Sequence, residues 1–159
     1  MRKLSSFTFN LLIGINVKVV IAIRALLMRL AGANVGKNLK IGGFVVIDYP
    51  SRLTFGDDVS INQFSKISAI GCIKIGNQVS IGHGVSILSS THPTSRTFKF
   101  DPLIMRSIEL GSNVWIGANS TIMANITDNC IIGAHSLVIK DIHEPGVYAG
   151  VPAKKVRDL

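Results

Sequence analysis

From residue 35 onward, aliphatic side chains return every six residues. Val35, Ile41 and Ile47 form one triplet, Phe55, Ile61 and Ile67 the next, and Ile75, Ile81 and Ile87 a third. Successive triplets are offset by 20 residues (55 − 35, 75 − 55), which is three sixes and two more. The extra pair reads as Leu53-Thr54 in one coil and Ile73-Lys74 in the next, at one recurring corner. The position after each anchor is small or polar, as in Gly36, Gly42, Asp48, Gly56, Asn62, Ser68, Gly76 and Gly82. The fifth position is small or β-branched, as in Val45, Ser51, Val59, Ser65, Val79, Val85 and Thr91. A short strand needs one inward aliphatic anchor, and a tight corner needs a residue that tolerates unusual φ/ψ. Three such strands close a triangular coil, and stacked coils share an aliphatic column that no single coil could bury.

The pattern resumes at Leu110, Ile116 and Ile122, then at Ile132 and Val138. The step from 122 to 132 is ten rather than twelve, which predicts a local corner contraction between Ala124 and Cys130. An ordinary sheet with alternating strands is the competing reading, but nine anchors in strict register argue for a solenoid. The expectation is an all-β chain, a parallel β-helix over 35–143 with a C-terminal flank over 144–159.

Two segments lack the repeat. Residues 7–30 are apolar and free of proline, with Lys18 and Arg29 on nearly one helical face, so a helical cap over 1–34 is expected. Lys18, Arg24 and Arg29 interrupt the apolar run, which argues against a spanning helix or a signal peptide and leaves peripheral membrane contact through residues 1–30 open. The second segment runs from His92 to Ser107, breaking the register directly after Thr91. A long loop inside a compact repeat usually carries function.

Composition narrows the partners. The chain has 159 residues, and its 17 Lys and Arg against 9 acidic residues favour anionic ligands. The basic residues are scattered, with almost no aromatic interleaving, so a phosphate-bearing cofactor fits better than nucleic acid. Cys72 and Cys130 form no metal-type or redox-type pair, which suits a reducing cytoplasm.

Four strings give these residues a family likeness: Ser90-Thr-His-Pro93, Val114-Trp-Ile-Gly117, Ile132-Gly-Ala134 leading to Lys140-Asp141, and Ala149-Gly-Val-Pro-Ala153. With the repeat, they resemble the hexapeptide-repeat acyltransferases, in the maltose/galactoside and cell-surface polysaccharide O-acetyltransferase branch. The likeness covers about residues 35–157. It implies a left-handed β-helix, a hand that the usual crossover rule would not have given. It also implies acetyl-CoA as co-substrate, no metal, a sugar-type acceptor and a homotrimer with sites between subunits.

Carried over residue by residue, His92 is the expected general base, taking the acceptor hydroxyl's proton during direct transfer. No serine-elbow motif or evident nucleophilic cysteine points to an acyl-enzyme. Asn62 matches the position that binds acceptor, and its plain alternative is a polar corner residue. Trp115 matches the tryptophan along the pantetheine arm, with subunit packing as the rival role. The amides of Ala118 and Ala134 match donors to the acyl oxygen and pantetheine. Lys140, Lys154 and Arg157 match positions that meet the CoA phosphates, or else are solvated surface charges. His83 and His135 occupy corners where relatives often carry Pro, Gly or Asn, and no role attaches to either. A γ-carbonic-anhydrase-like zinc site would need a short histidine pair that His83, His92, His135 and His143 do not form. An antibiotic hydroxyl or sugar amine as acceptor, and a non-enzymatic scaffold, are the remaining alternatives.

Overall fold

The computed structural model describes residues 19–93 and 102–159. Three parallel sheets run along the molecule as the faces of a triangular prism. The first face holds Asn34–Val35, Leu53–Phe55, Ile73–Ile75 and Ile108–Leu110, continued by single bridges at Ile126 and Ile142. The second holds Lys40–Ile41, Ser60–Ile61, Ser80–Ile81, Val114–Ile116, Cys130–Ile132 and Gly146–Ala149, and antiparallel Lys154–Arg157 closes its edge. The third holds Val46–Asp48, Lys66–Ser68, Ser86–Leu88, Thr121–Ile122 and Leu137–Val138.

Each anchor lies on its counterpart one coil away: Ile41 pairs with Ile61, Ile61 with Ile81, Ile81 with Ile116 and Ile116 with Ile132. Ile81, Ile87, Ile116 and Ile122 are wholly buried in this column. The six-residue step therefore works as the sequence pattern requires: it returns an aliphatic side chain to the axis at every strand.

All variation in coil length sits at the third corner, where the chain returns from the third face to the first. That step is eight residues from Ile47 to Phe55 and from Ile67 to Ile75, 23 from Ile87 to Leu110, and four from Ile122 to Ile126 and from Val138 to Ile142. Two expectations change. Leu53-Thr54 is ordinary strand, paired with Ile73-Lys74, and the added length lies in the 3-10 turn Pro50–Arg52 and its cap Tyr49. The contraction after Ile122 is no local irregularity, because it recurs one coil later. Counting in sixes skipped Ile126 and Ile142, the anchors that the short corner brings forward.

The first and second corners keep one backbone design. Their fourth positions are left-handed, with φ between 55° and 64°, at Asn38, Asp58, Gln78, Asn113 and Asn129 and at Phe44, Phe64, Gly84, Asn119 and His135. Asn, Asp and Gly tolerate that region best, which accounts for most of this list. His135 is there as a corner residue, with Nε2 3.4 Å from Nδ2 of Asn119 in the coil below. At the second position of the corner, a Cβ on Gly117 would lie 2.5 Å from the amide nitrogen of Ala134, so only glycine lets these coils stack.

A helix over 19–30 covers the start of the solenoid. Its C-terminus is a Schellman motif: Gly32 (φ 91°) donates to Arg29 O at 3.0 Å and Ala33 to Met28 O at 3.0 Å. Ala25 and Met28 are buried beneath it, while Val19, Ile23, Leu26 and Leu30 are exposed. The first coil has no neighbour below to use its carbonyls. Arg24 donates to Ile41 O at 3.0 Å and Arg29 to Gly36 O at 2.9 Å, so the helix covers an open sheet edge with guanidinium donors. Lys18 lies outside the described residues. No helix among them is long and apolar enough to cross a membrane.

Candidate active site

The arms of the loop are ordered. Ser90–Thr91 pairs antiparallel with Ile104–Met105, so the insertion at the third corner is a hairpin and His92 is the first residue beyond its last pair, Thr91 with Ile104. Arg106 fixes the returning arm. Its N–H donates to Ser89 O at 2.8 Å, and its guanidinium pairs with Asp141 two coils away, whose carboxylate also accepts the N–H of Asn125 at 2.8 Å. His92 is thus exposed on a braced base. Residues 94–101 of the expected loop lie outside the described residues.

Ala118 and Ala134 stack at the third position of the second corner, above Gly43, Gln63 and His83. Among the described residues, neither alanine N–H donates to any acceptor. Among the described residues, four of the five equivalent N–H groups of the first corner are taken by side chains of the following coil, that of Asp128 being the exception. Lys37 donates to Asp57 Oδ1 at 2.7 Å, Asp57 to Asn77 Oδ1 at 2.8 Å, Asn77 to Ser112 Oγ at 3.1 Å and Ser112 to Asp128 Oδ1 at 2.6 Å. An alanine has no side chain to close the amide below it. The second corner therefore presents a short line of free donors, the chemistry that an oxyanion or an amide carbonyl requires.

Asn62 lies on the same edge two coils below Ala118, roughly 10 Å at the usual spacing between strands. It is half-buried, and its Nδ2 donates to Ile81 O at 2.9 Å, leaving Oδ1 to accept. Trp115 stands outward on the adjoining second face, 55% exposed, with Ser80 beneath it and Ile131 above. Lys154 and Arg157 flank the upper edge of that face and make no ion pair among the described residues. Lys155 between them is engaged: Asp158 at 2.9 Å and then Glu144 at 3.0 Å raise its pKa, and it in turn lowers that of Asp158. Lys140 is exposed on the third corner, two coils above the insertion.

Two groups result. Asn62, Trp115, Ala118, Ala134, Lys154 and Arg157 share the second corner and second face. His92 and Lys140 occupy the third corner, about 15 Å away across a face of five extended residues. Neither cysteine joins a group: burial pushes the Cys130 thiol up and keeps it protonated, and Cys72 lies near the first face.

No family model matches the chain. It is 33% identical over 130 residues to the galactoside O-acetyltransferase of Escherichia coli, covering 80% of this chain and 64% of that one, slightly under two thirds of the relative. It is 32% identical over 141 residues to a putative lipopolysaccharide biosynthesis O-acetyl transferase of Escherichia coli, covering 78% of this chain and 70% of the other. A solved galactoside acetyltransferase in complex with coenzyme A superposes with a TM-score of 0.81 at 33% identity, over 85% of this chain and 69% of that one. The chain belongs to the hexapeptide-repeat O-acetyltransferases of the galactoside and polysaccharide type. A maltose O-acetyltransferase from Clostridium difficile adds a TM-score of 0.77 at 27% identity, over 83% of this chain and 72% of that one. The solenoid is accordingly a left-handed parallel β-helix.

For this member of the family, sequence reasoning named residues one at a time and missed what joins or separates them. The free donors of the second corner had a signal: Asp57, Asn77, Ser112 and Asp128 recur at the third position of one corner only. The separation of His92 from Ala118 had none, because it follows from which edge each corner occupies.

Proposed function

We propose that the protein moves an acetyl group from acetyl-CoA to a hydroxyl of a sugar or surface-polysaccharide precursor. The observation that carries this reading is the line of free N–H donors at Ala118 and Ala134, set beside an exposed tryptophan in a chain of this family. His92 accepts the proton of the acceptor hydroxyl as that oxygen attacks the thioester carbonyl. The carbonyl oxygen gains negative charge and is held by the amide of Ala118. Collapse breaks the carbon–sulfur bond, releases the CoA thiol with the proton from His92, and leaves the acetyl ester on the acceptor. Trp115 lies along the pantetheine arm, Asn62 holds the acceptor, and Lys140, Lys154 and Arg157 meet the phosphates.

One chain cannot bring His92 to Ala118, since a whole face separates their edges. The reading therefore requires a second copy to supply the histidine, which a homotrimer with three sites between subunits does. His92→Ala is expected to lower acetyl-CoA consumption with a sugar acceptor by 10²–10⁴-fold while leaving the circular dichroism of the fold intact. Unchanged turnover in the folded variant would overturn the base assignment. Mass spectrometry of the product separates a sugar hydroxyl from a sugar amine or an antibiotic hydroxyl.

Residues 1–30 are proposed to rest on an anionic membrane surface. No acidic residue precedes Asp48, whereas seven of the 17 basic ones do, and the helix keeps an apolar face exposed. Ile23→Gln with Leu26→Gln is expected to reduce co-sedimentation with phosphatidylglycerol vesicles, and equal sedimentation of both proteins would remove the idea.

A further inference from the structure

The fourth position of the second corner holds a left-handed residue in every coil, and two of the five are bulky. Phe44 and Phe64 adopt φ 56° and 62°, where Gly84, Asn119 and His135 stand in later coils. A large side chain there is strained, and such outliers persist where they have a use. The two rings stack in parallel, centroids 5.4 Å apart with 2° between planes, yet Phe44 is 79% exposed and Phe64 is 64% exposed. Strain combined with exposed apolar surface is doubly unfavourable for a free protein.

The neighbours say what the pair would hold. Phe64 is two residues from Asn62, whose Nδ2 is engaged and whose Oδ1 is left to accept a hydrogen bond from a hydroxyl, and Gln63 between them is exposed. Directly above Phe64 in the column, Gly84 contributes no side chain, and the amide of Asn119 leans over it. An aromatic ring edged by amides suits a pyranose: its ring C–H groups are electropositive and lie on a π-face, while its hydroxyls reach the amides. Below Phe44 the edge opens into a cleft of about 360 Å³ lined by Arg24, Leu27, Met28 and Val45, giving a path to an acceptor longer than one ring.

We propose that Phe64, supported by Phe44, is the platform on which a pyranose ring of the acceptor stacks. This rests on the reading of the chain as a sugar acetyltransferase. The decisive variant is Phe64→Asn, because asparagine fits the left-handed corner. Its acceptor KM should rise several-fold, up to about tenfold, with the acetyl-CoA KM unchanged and the melting temperature equal or higher. Phe64→Tyr should keep the wild-type acceptor KM. An unaltered acceptor KM in Phe64→Asn overturns the platform while leaving the activity standing, and a changed oligomeric state in sedimentation assigns the ring to a contact between copies instead. Should the wild type acetylate no sugar, saturation-transfer NMR with methyl glycosides reads the platform directly. Binding that disappears in Phe64→Asn supports it, and no binding by the wild type overturns it.

Discussion

In the fourth coil, the N–H of Ser112 at the first corner is held by Asp128 at 2.6 Å, while the N–H of Ala118 at the second corner meets no acceptor among the described residues. The corners are otherwise alike. Each spans six residues between anchors, begins with a glycine and passes through a left-handed asparagine, Asn113 or Asn119. Even the partner distance is shared, since Asp128 follows Ser112, and Ala134 follows Ala118, by 16 residues. The difference is one side chain, an aspartate in one place and an alanine in the other. Where the chain enters the first face, two further amides are closed by side chains of the following coil, Glu109 donating to Asn125 Oδ1 at 2.9 Å and Asn125 to Asp141 Oδ1 at 2.8 Å. The solenoid thus closes these amides with side chains and leaves those of Ala118 and Ala134 open on the edge where chemistry is proposed.

Moving the side chain tests that contrast most severely. Ala134→Asp places a carboxylate where Asp128 stands at the other corner, so it should accept the N–H of Ala118 and put negative charge beside the developing oxyanion. Turnover should fall by about 10²–10³-fold, the cost of losing an oxyanion donor, with no loss of melting temperature. Retained turnover would mean that the open amide is incidental.

The reverse change, Asp128→Ala, should leave turnover at 25 °C intact and cost about 1 kcal/mol, read as a melting temperature lower by roughly 2–4 °C. A drop in activity without a drop in stability would erase the division between a structural and a chemical edge.

The smallest effect concerns pH at the C-terminal clasp. Asp158 has its pKa lowered by Lys155, so its contribution is present above the ordinary carboxylate range and is lost as pH falls through the depressed value. Amide exchange in Lys154–Arg157, compared in the wild type and Asp158→Asn after correction for intrinsic rates, should differ at neutral pH and converge in acid. No difference at neutral pH would leave Lys155 without a clasping role.

Much of the fold was legible because the repeat is a local rule: six residues from Ile75 to Ile81 and six more to Ile87 return an aliphatic side chain to the axis whatever the rest of the chain does. Counting failed at Ile126 and Ile142, where the third corner shortens to four residues and nothing in the strand itself announces it. At the candidate site, His92 was nominated by the break in register, and Trp115, Ala118 and Ala134 by a family likeness. What those residues can do together was not.

The sequence by itself determined the coil, the inward column and the identity of the residues at each corner, since these depend on neighbours within one turn of the solenoid. Only the tertiary structure decided which amides stay open and which edge each residue occupies. An N–H at a corner is closed or free according to a side chain 16, 20 or 35 positions away, a distance fixed by the length of a corner on another edge. The same stacking holds His92 a full face from Ala118, the separation that the proposed second copy would bridge.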